Sequence, residues 1–259
     1  MKLRIMAIFT ALLIAVGCYF AYRYYLDVIA PEQEIAAADS EQQELFEQIK
    51  PISASAQPTK VSGDPSAETS VSETATDLLE GAAEVNSSVV GWITIPGTHI
   101  DYPIAQGEDN EFYLYHGFDG KLNQKLGCPF LDYRCEPDFS GLNSIVYAHH
   151  MTRQRMFADV ALFKDESFLQ SHPTGTLTVH DTVHTVQFFA YLSVPSDSAV
   201  YQAEFADEEE KLDYLAYLKD TASYYQETEI DETSHLLLLS TCTFEYEKAR
   251  GVLAGVIVE

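Results

Sequence analysis

The chain has 259 residues, 46% of them hydrophobic, which fits one good-sized globular domain with extra segments. Fifteen Lys and Arg against 40 Asp and Glu give a formal charge of −25, which argues against nucleic acid as a partner. The acidity is uneven: residues 31 to 86 hold twelve Asp or Glu against two Lys, so much of it belongs to one polar segment.

Lys2 and Arg4 precede an unbroken apolar run from Ile5 to Tyr22, closed by Arg23. Eighteen helical residues rise about 27 Å, close to the hydrocarbon thickness of a bilayer. Residues 1–25 therefore read as a single-pass membrane anchor. The basic start would stay cytoplasmic and everything after Arg23 would lie outside the cell. A cleaved signal peptide is the rival reading, with Ala15-Val16-Gly17 as its site. Gly17-Cys18 would suit a lipoprotein, although Ala15 stands where a Leu is usual.

Residues 26–76 read as an acidic, largely disordered linker, rich in Glu, Ser, Ala and Thr. Within it, Glu32 to Lys50 has the composition of a transient helix. Residues 77–259 read as the folded domain. Asp77 to Val85 is a short helix capped by Asp77 or Thr76. Strands follow at Val89–Ile95, His99–Ile104, Pro129–Tyr133, Ser144–His149, Gly175–Val179, Val183–Ser193, Leu236–Ser240 and Gly251–Val258, punctuated by Gly, Pro, Asp and Asn. About eight strands with short helices predict a mainly β fold, a closed eight-stranded barrel. Two helical inserts are expected, Phe157 to Gln170 and the longer Asp207 to Tyr225.

The chemistry concentrates near the C-terminus. Four consecutive leucines, Leu236 to Leu239, mark a fully covered strand that ends in Ser240, Thr241 and Cys242. Arg250 stands at the entrance of the next strand. A fixed guanidinium beside a thiol lowers the thiol's pKa and holds a developing oxyanion. His149 ends another apolar run, Ile145-Val146-Tyr147-Ala148. A strand-end Cys, a strand-end His and an Arg are the parts of acyl transfer through a thioester. Arg250 has a bland alternative as an edge charge paired with Glu245 or Glu247. Cys128 and Cys135 would lie about 20 Å apart if Pro129–Tyr133 is extended, too far for a disulfide, unless a tight turn at Tyr133-Arg134 brings them together. The other histidines lack metal-ligand spacing, and no zinc or calcium pattern occurs, so no cofactor is expected.

Leu239-Ser240-Thr241-Cys242 with downstream Arg250 resembles the Thr-Leu-x-Thr-Cys signature of the sortases, with Leu238 in place of its first Thr. Gly91-Trp92-Ile93, Ile95-Pro96-Gly97-Thr98, Ile100-Asp101-Tyr102-Pro103, Asp109 to Leu114, Phe130 to Arg134 and Met156 to Asp159 narrow the resemblance to class B. It covers Asn86 to Glu259. The resemblance implies a cysteine transpeptidase that cleaves an Asn-Pro-x-Thr or Leu-Pro-x-Thr sorting signal of secreted proteins. The implied acceptor is an amine of peptidoglycan or of a pilin. Cys242 is the implied nucleophile, His149 the general acid–base and Arg250 the oxyanion or substrate anchor, with Ser240 and Thr241 as substrate contacts. Tyr147-Ala148-His149-His150-Met151 aligns with the family's Tyr-Gly-His-Asn-Met, which selects His149 over His150. Two other readings are a papain-like wall hydrolase, in which the Cys would precede the His, and a catalytically inactive barrel.

Overall fold

The computed structural model describes residues 2–51 and 77–258, with side chains from residue 12 onward in the first segment. The chain divides into two compact units, Met1–Glu44 and Leu45–Glu259. In the first, α1 (Lys2–Tyr24) passes through a π-helical turn at Tyr25–Ile29 into α2 (Ala30–Ile49). Pro31 has no N–H to give to the carbonyl of Asp27, and a widened turn next to it accommodates the break in the ladder. This stretch includes a helix long and apolar enough to cross a membrane. Its apolar side chains from Leu12 to Ile29 are exposed.

Residues 30–49, assigned by sequence to the linker, are helical, as their Glu, Ala and Gln content allows. The last turn of α2 belongs to the second unit. Phe46 is 2% exposed and meets Trp92, Tyr102 and Phe118 edge-on at 5.9–6.2 Å. Ile49 is buried beside it, and Lys50 pairs with Asp101, whose carboxylate also accepts from Trp92 Nε1 at 2.7 Å and Thr94 Oγ1 at 2.9 Å. The remaining linker residues, 52–76, lie outside the described residues.

The second unit is the eight-stranded closed barrel. Its strands are β1 (Val89–Thr94), β2 (Asp101–Gln106), β3 (Phe130–Leu131), β4 (Asn143–Tyr147), β7 (Thr174–Val179), β8 (Thr182–Pro195), β10 (His235–Cys242) and β11 (Ala249–Val258). Between them lie the small hairpin β5 (His150–Met151) and β6 (Arg155–Met156), and β9 (Tyr224–Tyr225), which extends β8. Around the barrel the order is β11-β10-β4-β3-β2-β1-β7-β8, and β8 closes onto β11 from Thr185 to Pro195. Closure leaves no free edge among these eight strands. Gly251 and Gly255 sit where that seam is tight: a Cβ would fall 2.6 Å from the Tyr191 hydroxyl at the first and 2.5 Å from Val186 Cγ1 at the second.

Helices fill the gaps: α3 (Glu80–Val85), α4 (Phe112–Tyr115), α5 (Glu166–Ser171) and α6 (Glu208–Thr221). The insert expected over Phe157 to Gln170 splits into a 3-10 helix, Ala158–Lys164, and α5. Asp165 breaks it by capping Ser167 N at 2.9 Å. The second insert ends at Thr221, short of Tyr225, because Tyr224 and Tyr225 pair with β8 as strand β9. Asp207 caps its start and Glu208, Glu209 and Glu210 fill its first turn, as the helix dipole favours.

The packing of Phe46 predicts that a fragment of residues 77–259 folds but is less stable than residues 36–259. In the longer fragment Phe46→Ala should cost about 3 kcal/mol, the usual scale for a buried Phe. Urea titrations followed by circular dichroism read both effects, and equal midpoints would show that the α2 turn adds nothing.

Candidate active site

The site is built by two parallel strands. β10 pairs β4 in parallel, Leu238 against Ile145, Leu239 against Val146 and Ser240 against Tyr147. Leu236 to Leu239 are all 0% exposed, so both faces of β10 are covered and its register cannot slip without burying polar groups. The pairing is carried past Tyr147: Ala148 N donates to Ser240 O at 3.2 Å and Thr241 Oγ1 donates to Ala148 O at 2.9 Å. The next residues on the two chains are Cys242 and His149.

On the other side of β10, Cys242 faces Arg250 in the antiparallel register with β11. Arg250 donates from Nη1 to Ala249 O at 3.0 Å and makes no ion pair among the described residues, Glu245 and Glu247 included. Glu245 is instead bound by Lys164 at 3.0 Å. The Thr243 hydroxyl and then Lys164 hold its carboxyl down to about 2. That contact is present above the ordinary Glu range and is lost as pH falls towards 2.

His149 is half-buried, with Nε2 2.9 Å from the carbonyl oxygen of Leu114. A carbonyl only accepts, so in the neutral ring Nε2 carries the proton and Nδ1 keeps a free lone pair. His150 goes elsewhere. Its ring meets the exposed Phe244 edge-on at 5.2 Å. Burial lowers its pKa, against a hydrogen bond to the Cys242 backbone and the charges of Glu245 and Asp159. The two histidines thus part to different partners, as alternation along an extended chain requires: His149 meets Leu114, and His150 meets Phe244 and the Cys242 backbone.

Ser240 and Thr241 are 1% and 2% exposed. Thr241 spends its hydroxyl on Ala148 and is a strut between the ends of β4 and β10. The Ser240 Oγ lies 2.9 Å from the Tyr201 hydroxyl. Burial pushes the Tyr201 phenol up to about 12, and Arg250 and Cys242 are among the groups that act on it. Local chemistry in the sequence gave no signal for Tyr201 or for the Leu114 carbonyl, since one lies in a short 3-10 turn, Ala199–Tyr201, and the other acts through its backbone. The remaining described cysteines of the barrel are unsuited to catalysis. Cys128 and Cys135 are buried and unpaired; burial pushes the Cys128 thiol well up and the Cys135 thiol to about 11.

A closed barrel that sets a thiol and a guanidinium across one strand pair, with a histidine at the end of the neighbouring parallel strand, defines the sortase class of cysteine transpeptidase. Known proteins agree. Sortase B of Listeria monocytogenes is 35% identical over 194 residues, 74% of this chain and 78% of that protein. A Streptococcus pyogenes class B sortase involved in pilus biogenesis is 30% identical, with a TM-score of 0.62 over 68% of this chain and 96% of that one. A Staphylococcus aureus sortase B–substrate complex shares the fold, with a TM-score of 0.69 at 21% identity over 89% of this chain and 99% of that one. No protein-family model matches the chain. The chain belongs to the class B sortases.

Alkylation by iodoacetamide near pH 8 should reach Cys242 well before Cys128 or Cys135, because burial both hides those thiols and keeps them protonated. Peptide mapping by mass spectrometry reads the order, and early labelling of Cys128 or Cys135 would contradict the assignment.

Proposed function

We propose that this transpeptidase is held in the cell membrane by its N-terminal helix, with the barrel on the wall side. Lys2 and Arg4 before the apolar run favour that orientation. Its donor substrates are secreted proteins ending in an Asn-Pro-x-Thr or Leu-Pro-x-Thr sorting signal, and its acceptor is an amine of peptidoglycan or of a pilin. The observation that carries this reading is the register that delivers Cys242, Arg250 and His149 to one end of the barrel.

In this reading the Cys242 thiolate attacks the Thr carbonyl of the signal. Arg250, free of carboxylate partners among the described residues, holds the tetrahedral oxyanion or the adjacent peptide carbonyls through its planar fork. His149, which takes the thiol proton of Cys242 at Nδ1 as the thiolate forms, passes it to the departing amine as the C–N bond breaks and a thioester remains on Cys242. The incoming amine then attacks the thioester, His149 takes up its proton, and the thiolate leaves. The Leu114 carbonyl fixes the ring so that Nδ1 does this work. Ser240 supports the substrate groove through Tyr201, and Thr241 holds the strand ends at their spacing.

Incubation with a sorting-signal peptide should give an acyl adduct on Cys242, absent in Cys242→Ala and retained in Cys128→Ala and Cys135→Ala. Arg250→Lys should lose most turnover, because an ammonium keeps the charge without the two-point fork. His149→Ala should lose at least ~10²-fold, the scale of a general acid–base group, while His150→Asn stays near wild type. Collapse in His150→Asn with survival of His149→Ala would transfer the acid role to His150.

A further inference from the structure

Just after β3, Asp132 is 0% exposed, yet its carboxylate is ringed by donors. Arg134 gives its backbone N–H at 3.0 Å and Nε at 2.9 Å to Oδ1, and Nη2 at 2.7 Å to Oδ2. Oδ2 also accepts from Asn110 Nδ2 at 2.9 Å and from the Tyr147 hydroxyl at 3.0 Å. Burial works to raise the carboxyl's pKa, but these contacts more than offset it and leave it lowered. The Arg134 side chain is 33% exposed, so the pair is open to solvent on one side and adds little stability by itself, and its location invites a use.

The location is informative. Tyr147, which binds Asp132, precedes His149 by two residues and ends β4. Arg134 does not stop at Asp132: Nη2 also donates to the Tyr201 carbonyl at 3.1 Å. The Tyr201 ring lies 5.9 Å from the Tyr147 ring, and its hydroxyl meets Ser240, two residues before Cys242. One carboxylate therefore connects both strand ends of the site to the turn that carries Tyr201. It touches neither the thiol nor the imidazole.

We propose that Asp132 and Arg134 are positioning residues that fix Tyr201 and Tyr147 as the wall of the peptide groove beside Cys242, setting how tightly a sorting signal binds and not how reactive the thiol is. This rests on the sorting-signal reading above. A guanidinium is needed because its fork reaches Asp132 and the Tyr201 carbonyl together; a single ammonium serves one or the other.

The test compares full-length wild type, Arg134→Lys and Asp132→Asn, with three readouts. These are kinetics on a sorting-signal peptide, alkylation of Cys242 by iodoacetamide, and amide hydrogen exchange of residues 196–204 against β4 and β10. In Arg134→Lys, KM should rise about 10-fold, the scale of losing one charge-assisted hydrogen bond. In the same variant kcat should stay within about threefold and alkylation within about twofold of wild type, and exchange should quicken in 196–204 alone. Asp132→Asn should repeat the pattern; if it does not fold, Arg134→Lys decides. Unchanged KM and unchanged exchange at 196–204 would overturn the proposal. So would exchange that quickens equally in β4 and β10 with alkylation lost, since that describes a structural ion pair only. If wild type cleaves no sorting-signal peptide, the substrate reading falls, and the exchange pattern still decides whether the pair holds Tyr201.

Discussion

The site depends on the parallel pairing of β4 with β10. Parallel strands run their C-terminal ends to the same side, so two residues from distant parts of the chain, 149 and 242, arrive together without a dedicated loop to hold them. Register is what makes this precise. Leu236 to Leu239 are buried on both faces, and a one-residue slip would carry Ser240 and Thr241 into apolar surroundings. The Thr241 hydroxyl on Ala148 O then extends the pairing beyond the last backbone-registered pair, up to the residues proposed to do the chemistry.

Rigidity beneath the thiol contrasts with openness around it. Phe244 is 79% exposed and Tyr246 44%, both in the connection from Cys242 to Arg250. That connection is held where Glu245 meets Lys164, where Phe244 packs on His150 and where Thr243 N donates to Ala249 O. A transferase that must admit first a peptide and then an amine needs an accessible thiol, and a barrel rim supplies one while the strands below stay fixed. The exposed aromatic surface at this rim contrasts with the buried carboxylate of Asp132.

The barrel was legible because its strands are marked by periodicity and turn residues, and the strand-end positions of Cys242, His149 and Arg250, on which the proposed mechanism rests, could be read the same way. Tertiary contacts were not legible in the same way. The last turn of α2 read as linker because its helix is acidic, while the aromatic residues that enclose Phe46 come from positions 92, 102 and 118. Asp132 and Arg134 stood in a stretch quoted for its family likeness, but nothing local shows that the carboxylate is buried or that the guanidinium reaches Tyr201, 67 positions away. Leu114 acts through a carbonyl, and a backbone group leaves no trace in side-chain chemistry. The shortened α6 is a case of tertiary context overriding propensity: Tyr224 and Tyr225 find a partner in β8, and the helix stops before them.

The charge distribution bears on Arg250 in particular. In a chain of net charge −25 carboxylates are plentiful, and Arg134, Lys164, Lys219 and Lys50 each have one. Arg250 has none among the described residues, although Glu245 and Glu247 lie close by in sequence. The antiparallel register explains this: Arg250 is held opposite Cys242, while Lys164 from another element binds Glu245. A guanidinium paired with a carboxylate would have its donors satisfied and its field cancelled, which would defeat the oxyanion role proposed for Arg250. Keeping it free of carboxylates among the described residues costs little at a partly exposed rim, and with Nη1 on the Ala249 carbonyl the fork's other donors stay available for the proposed role.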